Sequence, residues 1–337
     1  MTRKHIANII VLLFVLNLQS SYSQNGNWEW AGRYGGAGGV KEGYSVAIDD
    51  NHNIYVAGSF YSDLTIDGIT LHSMGFNDVF IAKFSEAGNL IWIKHARGPY
   101  GDQAITLVIK DNFIYVAGHF DFELTFDDTS LNVEYVMAIF LAKLDLEGNL
   151  IWLQYEGTGG SGACIEGLSL VDLNNEFLCL TGCFTNDYTY NNRFIAKYDT
   201  AGNEIWRVHE KESSHSGGRS VAVDNFGNIL NTGYFIDTVT FGDTTLISKG
   251  NRDIYYSKYD LAGNLIWVKQ AGGVDFDVGH SIATDHDNNI YVTGNFRDTT
   301  VVEDTILISR GINDIFLLKL DPDGNRKWVK QFGDSGS

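Results

Sequence analysis

The stretch Asp260-Leu-Ala-Gly-Asn-Leu-Ile-Trp267 contains a Gly-Asn-x-x-Trp motif that occurs six times in this chain of 337 residues. The motif is spaced at intervals of 62, 60, 54, 61 and 61 residues, and its tryptophans are Trp30, Trp92, Trp152, Trp206, Trp267 and Trp328. Self-similarity at a fixed period of this kind is the signature of a repeat architecture. The repeat unit therefore decides the fold, and it says little about the chemistry that the protein performs.

The first complete unit predicts four short strands, which we label A to D. They are Ser45–Ile48, Ile54–Phe60, Asp78–Phe84 and Leu90–Lys94. Runs of Val, Ile, Tyr and Phe that are bounded by Asp, Gly and Asn are typical of antiparallel hairpins. Four-stranded units repeated radially are propeller blades, whereas solenoid repeats are usually shorter. We therefore predict an all-β fold: a β-propeller of four-stranded antiparallel blades with five complete repeats of about 60 residues.

The turns between these strands share a recurring chemistry. Between C and D, most units contain Asp-x-x-Gly-Asn, which predicts a type I turn closed by a G1 bulge with Gly at positive φ. Between A and B, the left-handed position is occupied by His52, Gly227 or Asn288. The third unit has no insertion between B and C, which explains its shorter spacing. The other complete units insert a hairpin there, centred on Asp67-Gly68, Asp127-Asp128, Gly242-Asp243 and Glu303-Asp304.

Residues that recur at fixed positions predict how the blades pack. Strand B carries Gly followed two residues later by Phe, and strand C carries an aromatic residue three positions before Lys. A sheet with large side chains on both faces requires stacked neighbours to bury them. We expect the recurring lysines to lay their stems between blades and to reach turn carboxylates such as Asp49, Asp224 or Asp285. These lysines are Lys83, Lys143, Lys197, Lys258 and Lys319.

Several segments of the chain resemble one known family. They are Ser-Val-Ala-Ile-Asp at 45–49, Asn-Ile-Tyr-Val-Ala-Gly at 53–58, Asp-Ile-Phe-Leu-Leu-Lys at 314–319, and Gly272-Gly273 before a strand A. They are similar to the repeat of the bacterial seven-bladed β-propeller (SBBP repeat) family of exported proteins. The resemblance extends over residues 26–337. It implies a propeller fold and a surface location, without a common catalytic motif.

The chain divides into a leader and one repeat domain. Residues 1–23 are predicted to be a signal peptide, because a basic start precedes an apolar stretch too short to span a bilayer. Residues 24–337 form the β-propeller repeat domain. Because a ring closed by an N-terminal strand D should end after a strand C, we expect 337 residues to be part of a larger six- or seven-bladed ring. The predicted parts are a lone outer strand D at 28–34, repeats at approximately 42–96, 102–156, 165–210, 218–271 and 279–332, and the start of a further repeat at 333–337.

The charge balance restricts the partners. Removing Arg3 and Lys4 with the leader from the 24 basic residues leaves 22, against 42 acidic residues. This balance argues against nucleic acid as a partner, because its backbone needs a basic footprint. After the leader, no segment of the sequence is long and apolar enough to span a membrane. We expect an exported protein, extracellular, at the cell surface or in the periplasm, that has a glycan or protein ligand.

Two sets of residues are candidates for a site. Carboxylates recur just before strand A, where they would ring one mouth of the propeller channel. Solvated loop acids are the favoured interpretation and no cofactor is assigned; a site for Ca²⁺ or Mg²⁺ is the alternative. These are Glu42, Asp102, Glu166 and Asp277. Aromatic residues in the irregular loops are the candidates for ligand binding, because binding residues concentrate on loops held by a rigid scaffold. These are Tyr61, Tyr100, Tyr135, Tyr188 and Tyr190.

Three functions are compatible with these features. The leading interpretation is an exported, non-enzymatic binding or scaffold module that presents a ligand face on its loops. The first alternative is a polysaccharide-acting enzyme with a carboxylate cluster at the channel mouth. The second is a purely structural spacer of a larger surface protein. We assign no catalytic residue, since the nine histidines share no repeat position and no nucleophile or phosphate-binding motif occurs.

Overall fold

The computed structural model describes residues 31, 34–36, 38–134, 137–156, 169–173, 177–186, 190–209 and 215–335. Within these ranges the chain forms strands and turns and contains no helix. Five sets of four antiparallel strands are hydrogen-bonded in the order A-B-C-D, and we number these sets blades 1 to 5. The predicted all-β architecture of four-stranded blades is confirmed.

The first three blades contain these strands. Blade 1 consists of β1 (Lys41–Ile48), β2 (Ile54–Ile66), β3 (Ile69–Phe84) and β4 (Leu90–Arg97). Blade 2 consists of β5 (Gln103–Lys110), β6 (Phe113–Phe120), β9 (Ala138–Asp145) and β10 (Leu150–Glu156), with an inserted hairpin of β7 (Glu123–Phe126) and β8 (Thr129–Asn132). Blade 3 consists of β11 (Ser169–Leu173), β12 (Phe177–Asn186), β13 (Tyr190–Asp199) and β14 (Glu204–His209).

The last two blades repeat this plan with an insertion in each. Blade 4 consists of β15 (His215–Val223), β16 (Ile229–Ile236), β19 (Asp253–Tyr259) and β20 (Leu265–Gly273), with the hairpin β17 (Thr238–Phe241) and β18 (Thr244–Ile247). Blade 5 consists of β21 (Val278–Thr284), β22 (Ile290–Phe296), β25 (Asp314–Leu320) and β26 (Arg326–Phe332), with the hairpin β23 (Thr299–Val302) and β24 (Thr305–Ile308).

The turn chemistry predicted from the sequence is confirmed. The Gly of every C-to-D turn has a φ between 82° and 90°, and the strand register shifts beside it. The Asp that opens such a turn accepts hydrogen bonds from its own turn; for example, Asp260 Oδ1 accepts the N–H of Asn264 at 2.8 Å. In the A-to-B turns, His52, Gly227 and Asn288 have φ of 64°, 83° and 61°. Turn residues therefore occupy the left-handed region where the pattern places them.

The predicted hairpins between B and C are present in blades 1, 2, 4 and 5. In blade 3, β12 pairs with β13 as far as Asn186↔Tyr190, and the described residues contain no further strand between them. Two of these hairpins pair with strand D of the preceding blade, which the sequence did not predict. The hairpin of blade 2 extends the outer edge of blade 1 through Ala96↔Phe126. The hairpin of blade 5 extends blade 4 through Ala271↔Val302. The insertions of blades 2 and 5 thus tie each of these blades to the strand D that precedes it, whereas the hairpin of blade 4 forms a two-stranded sheet of its own.

The hydrophobic core is divided among the junctions between blades. We call the surface of a blade that packs on the preceding blade its front face, and the surface that packs on the following blade its back face. Between blades 1 and 2, Tyr55 and Ile81 from the back face of blade 1 share one buried cluster with Val116 and Phe140 from the front face of blade 2. Similar clusters lie at the next three junctions. Among the described strands no ladder joins blade 5 to blade 1, so the sheets do not close into a ring.

Recurring Lys and Trp side chains also bridge the junctions. Lys83 Nζ and Trp92 Nε1 both donate to the carbonyl oxygen of Leu146, in the C-to-D turn of blade 2, at 3.0 and 3.1 Å. The same arrangement recurs between blades 3 and 4 on the carbonyl oxygen of Leu261. The sequence did not predict these carbonyl acceptors. The predicted lysine–carboxylate contacts occur as Lys258–Asp224 at 3.0 Å and Lys319–Asp285 at 3.5 Å.

Candidate binding site

Two kinds of loop meet on one rim of the blades. The loop from β4 to β5 lies against the end of the B-to-C segment of blade 1, where Asp102 N–H donates to the carbonyl oxygen of Asn77 at 2.7 Å. The same contact recurs between blades 4 and 5, where Asp277 N–H donates to the carbonyl oxygen of Arg252 at 2.9 Å. We call this edge the loop rim. It brings residues distant in sequence, from neighbouring blades, onto one surface.

The described structure places two of the five candidate tyrosines on the loop rim. Tyr61 and Tyr100 are exposed there. Tyr135 and Tyr188 lie outside the described residues. Tyr190 begins β13 and pairs with Asn186, but its side chain is also outside the described part. The binding role of all five stays a prediction.

Tyr61 and Tyr100 belong to one aromatic cluster. The ring of Tyr61 stacks on Phe76 with centroids 6.4 Å apart and an interplanar angle of 24°. Phe76 N–H donates to the carbonyl oxygen of Tyr100 at 3.1 Å, and the Tyr100 ring contacts Phe122 at 4.8 Å. Met74 and Phe76 are the most exposed members, at 67% and 65%. We use the name aromatic cluster for Tyr61, Met74, Phe76, Tyr100 and Phe122.

A glycine allows the two halves of the aromatic cluster to meet. A Cβ on Gly75 would stand 2.3 Å from the backbone of Pro99, so only Gly lets strand C of blade 1 approach this loop so closely. Ser62 takes a positive φ of 71° beside Tyr61, at a shift of strand register. Both features fix the cluster through the backbone. Sequence reasoning missed Met74, Phe76 and Phe122, although their irregular positions in the B-to-C segments are a usable signal.

Polar groups flank the aromatic cluster on its exposed side. His72 Nδ1 lies 2.7 Å from Asp63 Oδ1, and both side chains are open to solvent. They stand on paired strands directly after the register shift beside Tyr61. Flat aromatic rings next to exposed donors and acceptors suit a ligand with both apolar faces and hydroxyl groups.

Buried carboxylates lie beneath the aromatic cluster. Asp78 is fully buried, accepts the N–H of Met74 at 2.9 Å and lies 2.6 Å from His95 Nε2. Asp102 is also fully buried, and the N–H of Asp121 approaches it without completing a hydrogen bond. Burial, and then the charge of Asp78, raise the pKa of Asp102 to about 8. Asp102 is therefore protonated at neutral pH unless a cation offsets its charge.

Asp277 occupies the matching position between blades 4 and 5. Its oxygens accept the N–H groups of Gly273 at 2.7 Å and Arg297 at 3.3 Å. Burial raises the pKa of Asp277 to about 7, and these two hydrogen bonds oppose the rise. The two junctions thus share a buried acid but differ in the number of donors that reach it.

The four predicted channel-mouth carboxylates do not share one environment. Glu42 is exposed and accepts a hydrogen bond from the hydroxyl of Tyr44, whereas Asp102 and Asp277 are fully buried. Glu166 lies outside the described residues. Among the described residues, no three His, Cys, Asp or Glu side chains converge in an arrangement that would hold a metal ion. The Ca²⁺ site stays a prediction.

Four-stranded blades, stacked through shared hydrophobic junctions, define the class of β-propeller repeat proteins. The sequence profile of one such family, the β-propeller repeat termed SBBP, matches residues 29–64 and 266–295. The matches cover the first strands of blade 1, and β20 to β22 at the junction of blades 4 and 5. These two segments of the chain are thus similar to the SBBP β-propeller repeat.

A curated relative matches a longer part of the chain. An uncharacterized WD repeat-containing protein of Acanthamoeba polyphaga mimivirus is 27% identical over 352 aligned residues, which cover 92% of this chain. The aligned region is 24% of that protein, so the chain spans about a quarter of the relative's length. The relative's printed description names a repeat and no ligand.

Two solved structures match this chain at low TM-scores. A protein of unknown function from Bacteroides caccae has a TM-score of 0.40 and 11% identity, over 77% of this chain and 92% of that one. A neuraminidase-like protein of the strain A/little yellow-shouldered bat/Guatemala has a TM-score of 0.39 and 11% identity, over 76% and 89%. Across the described part of the chain, no helix has the length and hydrophobicity needed to cross a membrane.

Proposed function

We propose that this protein is an exported, non-enzymatic binding module that takes a glycan on the aromatic cluster of its loop rim. The observation that carries the proposal is the convergence of Tyr61, Phe76 and Tyr100 from two blades onto one exposed surface. Exposed apolar surface that is clustered, with polar groups beside it, marks interaction sites. Sugar rings offer apolar C–H faces to such aromatic planes and hydroxyl groups to the neighbouring Asp63 and His72.

The buried state of the acids favours binding over hydrolysis. A glycosidase needs two carboxyl groups about 5–10 Å apart that face the substrate in a cleft. Asp102 and Asp277 are fully buried, so a polysaccharide does not reach them in this conformation. Product release that disappears in Asp277→Asn would support the enzyme instead.

The binding test uses a glycan array followed by calorimetry on the best glycan. Tyr61→Ala and Tyr100→Ala are expected to weaken binding by about tenfold or more each, since an aromatic contact is worth about 1–2 kcal/mol. Tyr155→Ala is the matched control, because Tyr155 is similarly exposed on β10 and its ring contacts Phe120 rather than a member of the cluster. Equal losses in all three variants, or none in the cluster variants, would contradict the proposed site. If the protein binds a protein segment and no glycan, the ligand is a protein instead of a glycan.

Export rests on the leader at residues 1–23, which lies outside the described residues. N-terminal sequencing of the protein recovered outside the cytoplasm should begin at Gln24. Intact Met1 on the mature protein would contradict export. The Ca²⁺ proposal has its own test: exhaustive chelation should lower the Tm, and an unchanged Tm would remove it.

A further inference from the structure

Arg252 contacts two aromatic rings on the loop rim at the junction of blades 4 and 5. Its guanidinium carbon, Cζ, lies 4.4 Å from the centroid of the Tyr234 ring and 5.6 Å from the centroid of the Phe276 ring. Tyr234 stands on β16 of blade 4, whereas Phe276 stands in the loop from β20 to β21. An isolated backbone bridge also joins Arg252 to Phe276. The rings and the backbone therefore both fix the place of this side chain.

The guanidinium of Arg252 keeps its hydrogen-bond donors available. Its Nε atom is enclosed and has no hydrogen-bond partner in the described part of the chain. The side chain as a whole is half-buried, so the two Nη groups at its end are the accessible donors. An aromatic face attracts a guanidinium through its π electrons and uses none of the N–H groups. The planar fork of the two Nη groups matches the two oxygens of a carboxylate.

The acids of this junction are engaged by other groups. Asp275 Oδ2 lies 4.0 Å from Arg297 Nε, and Asp275 Oδ1 accepts the N–H of Phe276 at 3.0 Å. Asp277 is fully buried and accepts backbone N–H groups. Of the ion pairs between residues that the structure describes, none includes Arg252. A cation without a counter-charge at the surface raises the local concentration of anionic ligands.

The repeat itself does not require a basic residue at this position. The register of strand C against strand B places Arg252 where Asn77 stands in blade 1, and Lys249 where Met74 stands. Lys249 is exposed on the same segment as Arg252 and adds a second positive charge. The loop rim therefore changes its chemistry along its length: it is aromatic at the junction of blades 1 and 2 and basic at the junction of blades 4 and 5.

We infer that the loop rim at the junction of blades 4 and 5 binds the carboxylate of an acidic glycan, with Arg252 as the anion-binding residue and Phe276 as the platform for the sugar ring. A uronic acid carries its carboxylate on the sugar ring itself. One sugar unit can therefore lay its C–H face on Phe276, which is 40% exposed, while its carboxylate meets Arg252 at 5.6 Å from that ring. An acidic peptide offers the carboxylate on a flexible side chain, without a flat apolar face beside it. Only the ligand class, a glycan, rests on the proposed function, because the site shares no residue with the aromatic cluster.

The test measures binding of oligogalacturonate to the full chain by calorimetry. Fully methyl-esterified oligogalacturonate is the matched ligand, because it has the same sugar rings without the charge. The acid form should bind at least about tenfold more tightly than the ester, since hydrogen bonds to a charged group are stronger than neutral ones. Arg252→Gln should remove this preference, and Arg252→Lys should keep only part of it, because an ammonium lacks the planar fork. Arg310→Gln is the control: it removes the same charge from an exposed arginine on the B-to-C segment of blade 5 and should leave the preference unchanged.

Several outcomes overturn the inference. They are no binding of the acid form by the unmodified chain, equal affinity for acid and ester, a preference retained in Arg252→Gln, or an equal loss in Arg310→Gln. Binding of poly-L-glutamate without binding of oligogalacturonate would assign the site to an acidic peptide instead. The comparison of the two ligands on the unmodified chain does not depend on the folding of any variant. Tyr61→Ala, measured with the best neutral glycan, tests the proposed function separately, so failure of one site is distinguishable from failure of the other.

Discussion

Replacing Gly58 with Ala tests the backbone contact that recurs in the blades. A Cβ built on Gly58 would stand 1.9 Å from the carbonyl oxygen of Glu42 on strand A and 2.8 Å from Phe80 Cε1 on strand C. Strand A would have to move by about 1 Å or more to restore an ordinary contact distance. The same overlap, at 1.9–2.0 Å, occurs at Gly118, Gly233 and Gly294. The glycine in strand B is therefore required by the bulged strand A that crosses over it.

The expected cost follows from overpacking. Extra atoms in a well-packed core cost about 1–3 kcal/mol, and the displaced ladder between β1 and β2 adds to this. Gly43→Ala is the matched control, because Gly43 pairs with Gly58 across the two strands but is exposed. Its Cβ would meet only Val56 Cγ1, at 3.5 Å. We expect Gly43→Ala to change the free energy of unfolding by less than about 1 kcal/mol, with stabilisation allowed by the stiffer unfolded chain.

The assay is urea unfolding followed by tryptophan fluorescence, with amide hydrogen exchange to locate the change. Exchange is needed because repeat arrays do not always unfold in one cooperative step. Gly58→Ala should accelerate exchange in β1 and β2 and leave β15 and β16 unchanged. If Gly58→Ala is as stable as Gly43→Ala, the reasoning from close backbone approach is refuted.

Two further predictions concern buried charges. Lys258→Met should lower the free energy of unfolding in urea by about 3–5 kcal/mol, because it leaves the buried carboxylate of Asp224 without its counter-charge. Lys319→Met is the control at the more exposed equivalent pair with Asp285, and it should cost at most about 1 kcal/mol. Equal costs in the two variants would contradict this reasoning. The folded-state pKa of Asp102 is raised to about 8, so folding favours the protonated form of this carboxyl group. The contribution of this protonation to the stability of the fold is therefore full below pH 4 and is lost as the pH rises toward 8. Asp102→Asn should therefore reduce the fall in the free energy of unfolding between pH 4 and pH 8. Asp277→Asn should reduce the same fall between pH 4 and about pH 7. If the slope of unfolding free energy against pH is unchanged in either variant, the assigned burial of that carboxyl group is contradicted.

The sequence by itself determined the local structure. Turn chemistry depends on few residues close in the chain, so the recurring pattern predicted the C-to-D turns correctly, and the A-to-B turns of blades 1, 4 and 5. Strand periodicity likewise depends on residues close in the chain, and it predicted the blades. The 54-residue spacing predicted that the third unit lacks the hairpin between strands B and C. Of the candidate site, the sequence identified Tyr61 and Tyr100 only as irregular aromatics in loops.

Tertiary structure decided everything that depends on contacts between blades. Tyr61 and Tyr100 are 39 residues apart, and only the packing of the B-to-C segment of blade 1 against the next loop brings them together through Phe76. The burial of Asp102 and the exposure of Glu42 are likewise invisible in a pattern that places both before strand A. Residues at the same repeat position are alike in sequence. Their burial and their charge state depend instead on the neighbouring residues across each junction between blades. The physical reason is that desolvation depends on what surrounds a group in space, and a repeat pattern records only what precedes and follows it in the chain.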